Sequence, residues 1–194
     1  MEIRQAVIGD LDAVLGIIAD GKAALAAQGL DQWQGGNPTA EKIEADIAGG
    51  HTLLAVAQED DAMPEGCVPL PAGTILGAIA LFEGGEADYD TVTEGAWLTS
   101  SPNTPRDGAA TYLVMHRLAV SAKARRRGVA NALLTAGVER ARELGLTSVR
   151  VDTHEGNVPM QRGFEKAGFT RCCAIEISDP GELSRRRIGF ELVL

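Results

Sequence analysis

Residues 152–164 read DTHEGNVPMQRGF, so Asp152, His154, Glu155 and Asn157 crowd one short stretch. A carboxylate can hold a cation or orient a base, and an imidazole exchanges protons near neutral pH. Asp152 and His154 are two residues apart, so on an extended chain they face the same way. A second imidazole, His116, lies inside the apolar run YLVMHRLAV. Each residue also has a plain structural reading. A histidine on a strand commonly serves only as a hydrogen-bonded packing residue, Asp152 can cap a turn, and Asn157 can cap a helix. His51, where a loop enters a strand, is given no role.

A second chemical feature spans residues 120–134, VSAKARRRGVANALL. A helix that opens at glycine without a capping side chain exposes its first N–H groups and the positive end of its dipole. Gly128 lets an anion approach the backbone, Ala130 is small, and Arg125, Arg126 and Arg127 add positive charge. Three arginines alone read as a solvated surface. Placed between a strand and a glycine-led helix, they point to a polyanion, with pyrophosphate the best match. Neither the Walker pattern nor the G-x-G-x-x-G dinucleotide pattern occurs here.

The elements that must position these residues follow from periodicity. Glu2–Val7 reads as a strand, and Asp10 precedes a helical repeat of Leu11, Val14, Leu15, Ile18 and Leu25 that runs to Gly29. Residues 29–38, GLDQWQGGNP, form a loop. Thr39 caps a second helix, with Ile43 and Ile47 on one face, that ends at Gly49–Gly50. Strands are expected at Thr52–Gln58 and Thr74–Phe82, around a proline-rich loop at 59–73. Residues 83–109 read as a long irregular stretch. A strand at Tyr112–Val120, a helix at Gly128–Leu144, a strand at Ser148–Thr153 and a short helix at Asn157–Ala167 follow. Phe169–Ile177 and Arg187–Val193 close the chain as a hairpin across DPGE. Strands and helices mix without strict alternation, which predicts an α+β sheet rather than a doubly wound one.

The 194 residues suffice for one domain, 1–194, with a substantial core. A formal net charge of −9 disfavours nucleic acid as a partner, because phosphates are repelled. The three cysteines, Cys67, Cys172 and Cys173, include no C-x-x-C, which speaks against a disulfide framework and a zinc site. No run is long enough to span a membrane, and MEIRQAVIGDLDA carries charges where a signal peptide needs an apolar run. A cytoplasmic protein with no membrane or nucleic-acid partner and no metal is expected. With aromatics at only 4%, Trp33, Tyr89 and Trp97 stand out as candidate contacts for an alkylammonium, with Asp31 beside Trp33. Trp33 reads equally well as a cover for the core edge.

The pattern R-x-x-G-x-A at Arg125, Gly128 and Ala130, followed by N-V-P-M-Q-R-G-F-E-K-A-G-F at 157–169, resembles the GNAT superfamily of N-acetyltransferases. The resemblance is strongest over 112–170 and looser across the remainder, and DQWQ, DTH and N-x-x-MQ together resemble its uncharacterised bacterial branch. It implies a GNAT-like mixed, mostly antiparallel sheet, splayed at two central parallel strands and flanked by helices, with acetyl-CoA as co-substrate in the splay. It further implies that backbone groups of Leu118, Ala119 and Val120 hold the pantetheine arm. Those from Arg126 through Val129 to Ala130 would hold the pyrophosphate, and Asn157 would touch the arm. The loop holding Asp31 and Trp33 would line the acceptor pocket, with Tyr89 and Trp97 as further candidates. His116, Asp152 and His154 are then the candidates for acid–base work or acceptor contact. Many relatives carry a tyrosine acid where this chain has Phe164, so that role does not transfer. The expected activity is acetyl transfer to a primary amine of a small molecule or peptide. The competing reading is an acyl-CoA-binding sensor that has lost its acid, and a third is a scaffold for a binding partner. A homodimer through an edge of the terminal hairpin is a further expectation.

Overall fold

The computed structural model describes residues 1–61, 64–83, 85–99 and 111–194. Its elements are β1 (Glu2–Gln5), α1 (Leu11–Ala26), α2 (Ala40–Ala48), β2 (Thr52–Val56), β3 (Ile75–Phe82), β4 (Val92–Gly95), β5 (Tyr112–Val120), α3 (Val129–Glu143), β6 (Ser148–His154), α4 (Val158–Lys166), β7 (Thr170–Glu176) and β8 (Arg186–Val193). One sheet contains all eight strands in the order β1-β2-β3-β5-β6-β8-β7-β4. Among the described residues only β5 and β6 run parallel; every other pairing is antiparallel. The architecture is the mixed, mostly antiparallel α+β sheet that the sequence predicts.

β5 and β6 share just three register pairs, Tyr112–Ser148, Leu113–Val149 and Val114–Arg150. β5 then continues to Val120 and β6 to His154 without pairing, so the strands part and open a gap in mid-sheet. A bulge in β5 accompanies the parting. Ala78 faces Ala119 but Ala80 faces His116, and Arg117 holds a left-handed φ of 55°. One extra residue reverses the inside–outside alternation. Leu113 and Met115 before the bulge, and Leu118 and Val120 after it, all pack with α3 and α4 on one face. Ala119 joins α1 and α2 on the other. Arg117 is pinned there by Asp46 of α2, 2.5 Å from its Nη1, and its guanidinium lies 5.4 Å from the centre of the Phe82 ring. Burial raises the Asp46 carboxyl above its usual range, and the charge of Arg117 works against that rise.

Two expectations shift. The stretch 83–109 is not wholly irregular: a 3-10 turn at Ala87–Asp90 leads into β4, which pairs with β7. Position 84 and positions 100–109 lie outside the described residues. The terminal hairpin also offers no free edge, because β8 sits between β6 and β7, and β4 covers the outer side of β7. The basis expected for a dimer is therefore gone; the outer strands of the sheet are β1 and β4. Among the described residues no helix is long and apolar enough to cross a membrane.

Candidate active site

A cavity of about 1530 Å³ fills the gap between β5 and β6 and continues under α1 and the loop after it. One end is built by the start of α3. Gly128 takes a left-handed φ of 76°, carries no capping side chain, and has open space where a Cβ would stand. The first N–H groups of α3 are thus left for a ligand. Arg125, Arg126, Gly128, Val129 and Ala130 all line this end, and Leu118, Ala119 and Val120 form the adjoining wall. Arg127 departs from expectation. Its guanidinium donates to the carbonyl of Val68, which draws it out of the lining and onto the 64–73 loop. Arg126 lines the cavity while also reaching the Glu65 carbonyl at 3.3 Å.

Asn157 is 6% exposed and caps α4, its Oδ1 accepting from Met160 N at 3.4 Å. Its Nδ2 donates to Thr153 Oγ1 at 3.1 Å, which ties the helix start to β6. Phe164, about two turns further along α4, is 3% exposed and packs against Phe190 and Phe169, with ring centroids 5.4 and 6.0 Å away. It belongs to the core and also lines the cavity.

The other end of the cavity brings together four residues from three elements, the 3-10 turn with its cap, β5 and β6. His116 stands two positions beyond Val114, and Asp152 two beyond Arg150, so they occupy matching places on the two strands just past their last pair. His116 Nε2 lies 3.1 Å from Glu86 Oε2. The hydrogen bond to His116 holds the Glu86 carboxyl below its usual range, against the opposing effect of burial. Tyr89, fully buried, donates its hydroxyl to Asp152 Oδ1 at 3.0 Å. Burial, reinforced by the Asp152 charge, pushes the Tyr89 phenol well above its usual range. Its ring lies 6.3 Å from that of His116. Glu86, Tyr89, His116 and Asp152 all line the cavity. Glu86 could not be singled out in the sequence, because it sits in a Gly- and acid-rich stretch without periodicity.

Trp33 also lines the cavity, packed over Gly21 of α1, with its backbone N–H donating to Glu182 Oε2 at 3.2 Å. Glu182 in turn takes Arg187 Nη2 at 2.8 Å, and Lys42 meets Asp179 at 2.7 Å. The loop after α1 is thereby clasped to the turn between β7 and β8.

Besides Arg127, three sequence candidates stand apart from the cavity lining. His154 turns into its own loop, where Nδ1 accepts from Gly156 N at 2.9 Å and Nε2 lies 3.3 Å from Asp31. This tight turn accounts for both His154 and Asp31, which are away from the lining. Trp97 is a packing residue: its indole donates to the Tyr89 carbonyl at 2.9 Å, and Arg150 stacks 4.6 Å from its ring. Among the described residues no group of three or more His, Cys, Asp or Glu side chains could hold a metal ion.

Comparison with known proteins gives the family and the fold. The model of the acetyltransferase (GNAT) family matches residues 49–169. The crystal structure of a GNAT-family acetyltransferase from Streptococcus agalactiae superposes with a TM-score of 0.77 at 28% identity, covering 100% of this chain and 95% of that one. A ribosomal-protein-alanine N-acetyltransferase from Brucella melitensis shares the fold at 18% identity, with a TM-score of 0.62 and full coverage of both chains (100% each). A GNAT-family acetyltransferase from Listeria monocytogenes does so at 17% identity and a TM-score of 0.65, covering 100% of this chain and 94% of that one. No curated protein matches the sequence.

Proposed function

Because the chain belongs to the GNAT acetyltransferase family, we propose that it moves an acetyl group from acetyl-CoA directly to a primary amine of a small molecule or peptide. The observation that carries this reading is a single cavity with an uncapped helix start at one end and an acid–base cluster at the other. In this reading the N–H groups from Arg126 to Ala130 take the pyrophosphate, with Arg125 and Arg126 supplying countercharge. The backbone of Leu118, Ala119 and Val120 holds the pantetheine arm. Asn157, already bonded at both ends of its amide, fixes the start of α4 beside that arm.

An amine reaches the site as an ammonium ion and must lose a proton before it can attack. Asp152 is bonded by the neutral hydroxyl of Tyr89, so its charge remains to attract that cation. His116, held at Nε2 by Glu86, has its other ring nitrogen to accept the proton. Trp33 covers the acceptor from the α1 side. CoA leaves as a thiolate, and thiols of its class titrate at about 8.5, so departure does not depend on an acid at position 164.

The sensor alternative rests on Phe164 alone. The four polar side chains gathered around the same cavity favour turnover. Calorimetric titration with acetyl-CoA, followed by a free-thiol release assay across a panel of amines, tests the reading. Binding plus release on at least one amine supports it; absence of binding overturns it. Binding without release from any amine leaves the sensor.

A further inference from the structure

Adjacent residues of a strand point to opposite faces, which keeps their side chains apart. Cys172 and Cys173 of β7 break that rule, with their sulfurs 3.8 Å apart. The cause is a bulge. Arg171 pairs with Phe190 and Cys173 with Gly189, so Cys172 is the extra residue, and both cysteines oppose one residue of β8. That residue is a glycine. A Cβ on Gly189 would come within 2.5 Å of Cys173 Sγ, and Cys172 Sγ lies 3.5 Å from the Gly189 carbonyl. The missing side chain is what makes room for two sulfurs.

The surroundings favour reactivity in the pair. Cys172 is partly exposed, whereas Cys173 is buried at 6% exposure. The Cys172 thiol donates to Cys173, which lowers the Cys173 titration below its usual range and raises that of Cys172. Burial works against the lowering at Cys173; the Arg150 charge assists it, and the Glu191 and Asp152 charges oppose it. One of the two sulfurs therefore gives up its proton more readily than a lone buried thiol does.

We propose that Cys172 and Cys173 form a redox-modifiable dithiol that a peroxide closes to a cyclic disulfide between neighbouring residues. The first sulfur attacks the peroxide, forming an S–O bond as the O–O bond breaks and releasing one molecule of water or alcohol. The second sulfur then displaces hydroxide from it, which leaves as water, and the S–S bond forms. Two thiols lose two electrons and two protons, and the peroxide is reduced by two electrons. Closing the 3.8 Å between the sulfurs to bonding distance requires the Cys172–Cys173 backbone to shift at the bulge. Cys67, in the 64–73 loop, has no part in this.

The test treats the whole protein with a small excess of hydrogen peroxide, then denatures it, alkylates free thiols and weighs it. The expected result is loss of two hydrogens and of two alkylatable thiols, with Cys67 still alkylated and both changes reversed by dithiothreitol. Cleavage after Arg171 places both cysteines at the head of one peptide, where the ring is read directly. Cys172→Ser changes the more exposed residue, so it is the variant to compare, with circular dichroism checking its fold; it must abolish the loss of hydrogens. Fluorescence of Trp97, isolated by Trp33→Phe, is expected to drop on oxidation, because the Trp97 ring and Cys173 sulfur crowd the same glycine. Addition of two or three oxygens to a single cysteine overturns the proposal. So does a disulfide-linked dimer through Cys67, or an unchanged mass loss in Cys172→Ser.

Discussion

Tyr89 donates its hydroxyl to Asp152 at 3.0 Å where β5 and β6 part, and among the described residues no Lys, Arg or His is paired with that carboxylate. Asp152→Asn is therefore expected to raise KM for the amine by roughly 10- to 100-fold, the weight of a charge-assisted contact, and to leave acetyl-CoA affinity unchanged. Tyr89→Phe keeps the ring but frees the carboxylate, so a smaller change in the same direction is expected. Steady-state kinetics with each substrate varied in turn, beside calorimetry with acetyl-CoA, checks both.

Glu86 gives a pH-dependent prediction. Its carboxyl titrates below the usual range when folded, chiefly through His116. A depressed carboxyl contributes stability above its unfolded pKa, and that contribution fades as pH falls through the lower folded value. Glu86→Gln should lower the urea midpoint at neutral pH. The gap from the wild type should narrow as pH drops below the ordinary glutamate value of 4.5. A gap that stays constant into acid would mean that Glu86 acts by packing rather than by charge.

At the opposite end of the cavity, Gly128→Glu places a carboxylate in the open space over the start of α3. Repulsion of a polyanion there should weaken acetyl-CoA binding on the order of 100-fold. The left-handed φ of 76° adds about 1–2 kcal/mol of strain for a non-glycine residue, which a domain of this size is expected to survive. Calorimetry reads the first effect and thermal unfolding the second.

Arg150 and Glu191 are both 0% exposed and joined at 3.0 Å, with Ser148 and Thr99 also bonded to the carboxylate. Arg150 further lies over the rings of Trp97 and Tyr112, at 4.6 and 4.1 Å. Glu191→Ala removes the carboxylate from a buried guanidinium and should cost about 3–5 kcal/mol, measurable by urea unfolding. Retained stability would show that the remaining partners of Arg150, the two rings and Thr99 among them, can hold the charge.

Much of this was readable in advance because it is periodic or local. The stripe of Leu133, Leu134, Val138 and Ala141 marks α3, and Gly128 marks its start; both depend only on neighbours in the chain. β4 escaped because VTEG is short and mostly exposed, so no alternation betrays it. Glu86 and the Arg117 bulge were hidden for another reason: their meaning depends on His116 and Asp46, which are 30 and 71 residues away. His154 misled because a strand-end imidazole looks the same in sequence whether it faces a cavity or, as here, its own turn.

The place of β8 between β6 and β7 also has a consequence for the order of assembly. β4 and β7 precede β8 along the chain, yet they reach the rest of the sheet only through it. A ribosome supplies residues in sequence order, at roughly 5–20 per second. Until residues 186–193 are in place, β1, β2, β3, β5 and β6 therefore form one body and β4 with β7 a ribbon not yet paired to it. β4, which follows Tyr89 directly, gains its place in the sheet only when residues 186–193 have arrived. That side of the sheet is thus completed after the end of the cavity built by the start of α3, which lies wholly within earlier sequence.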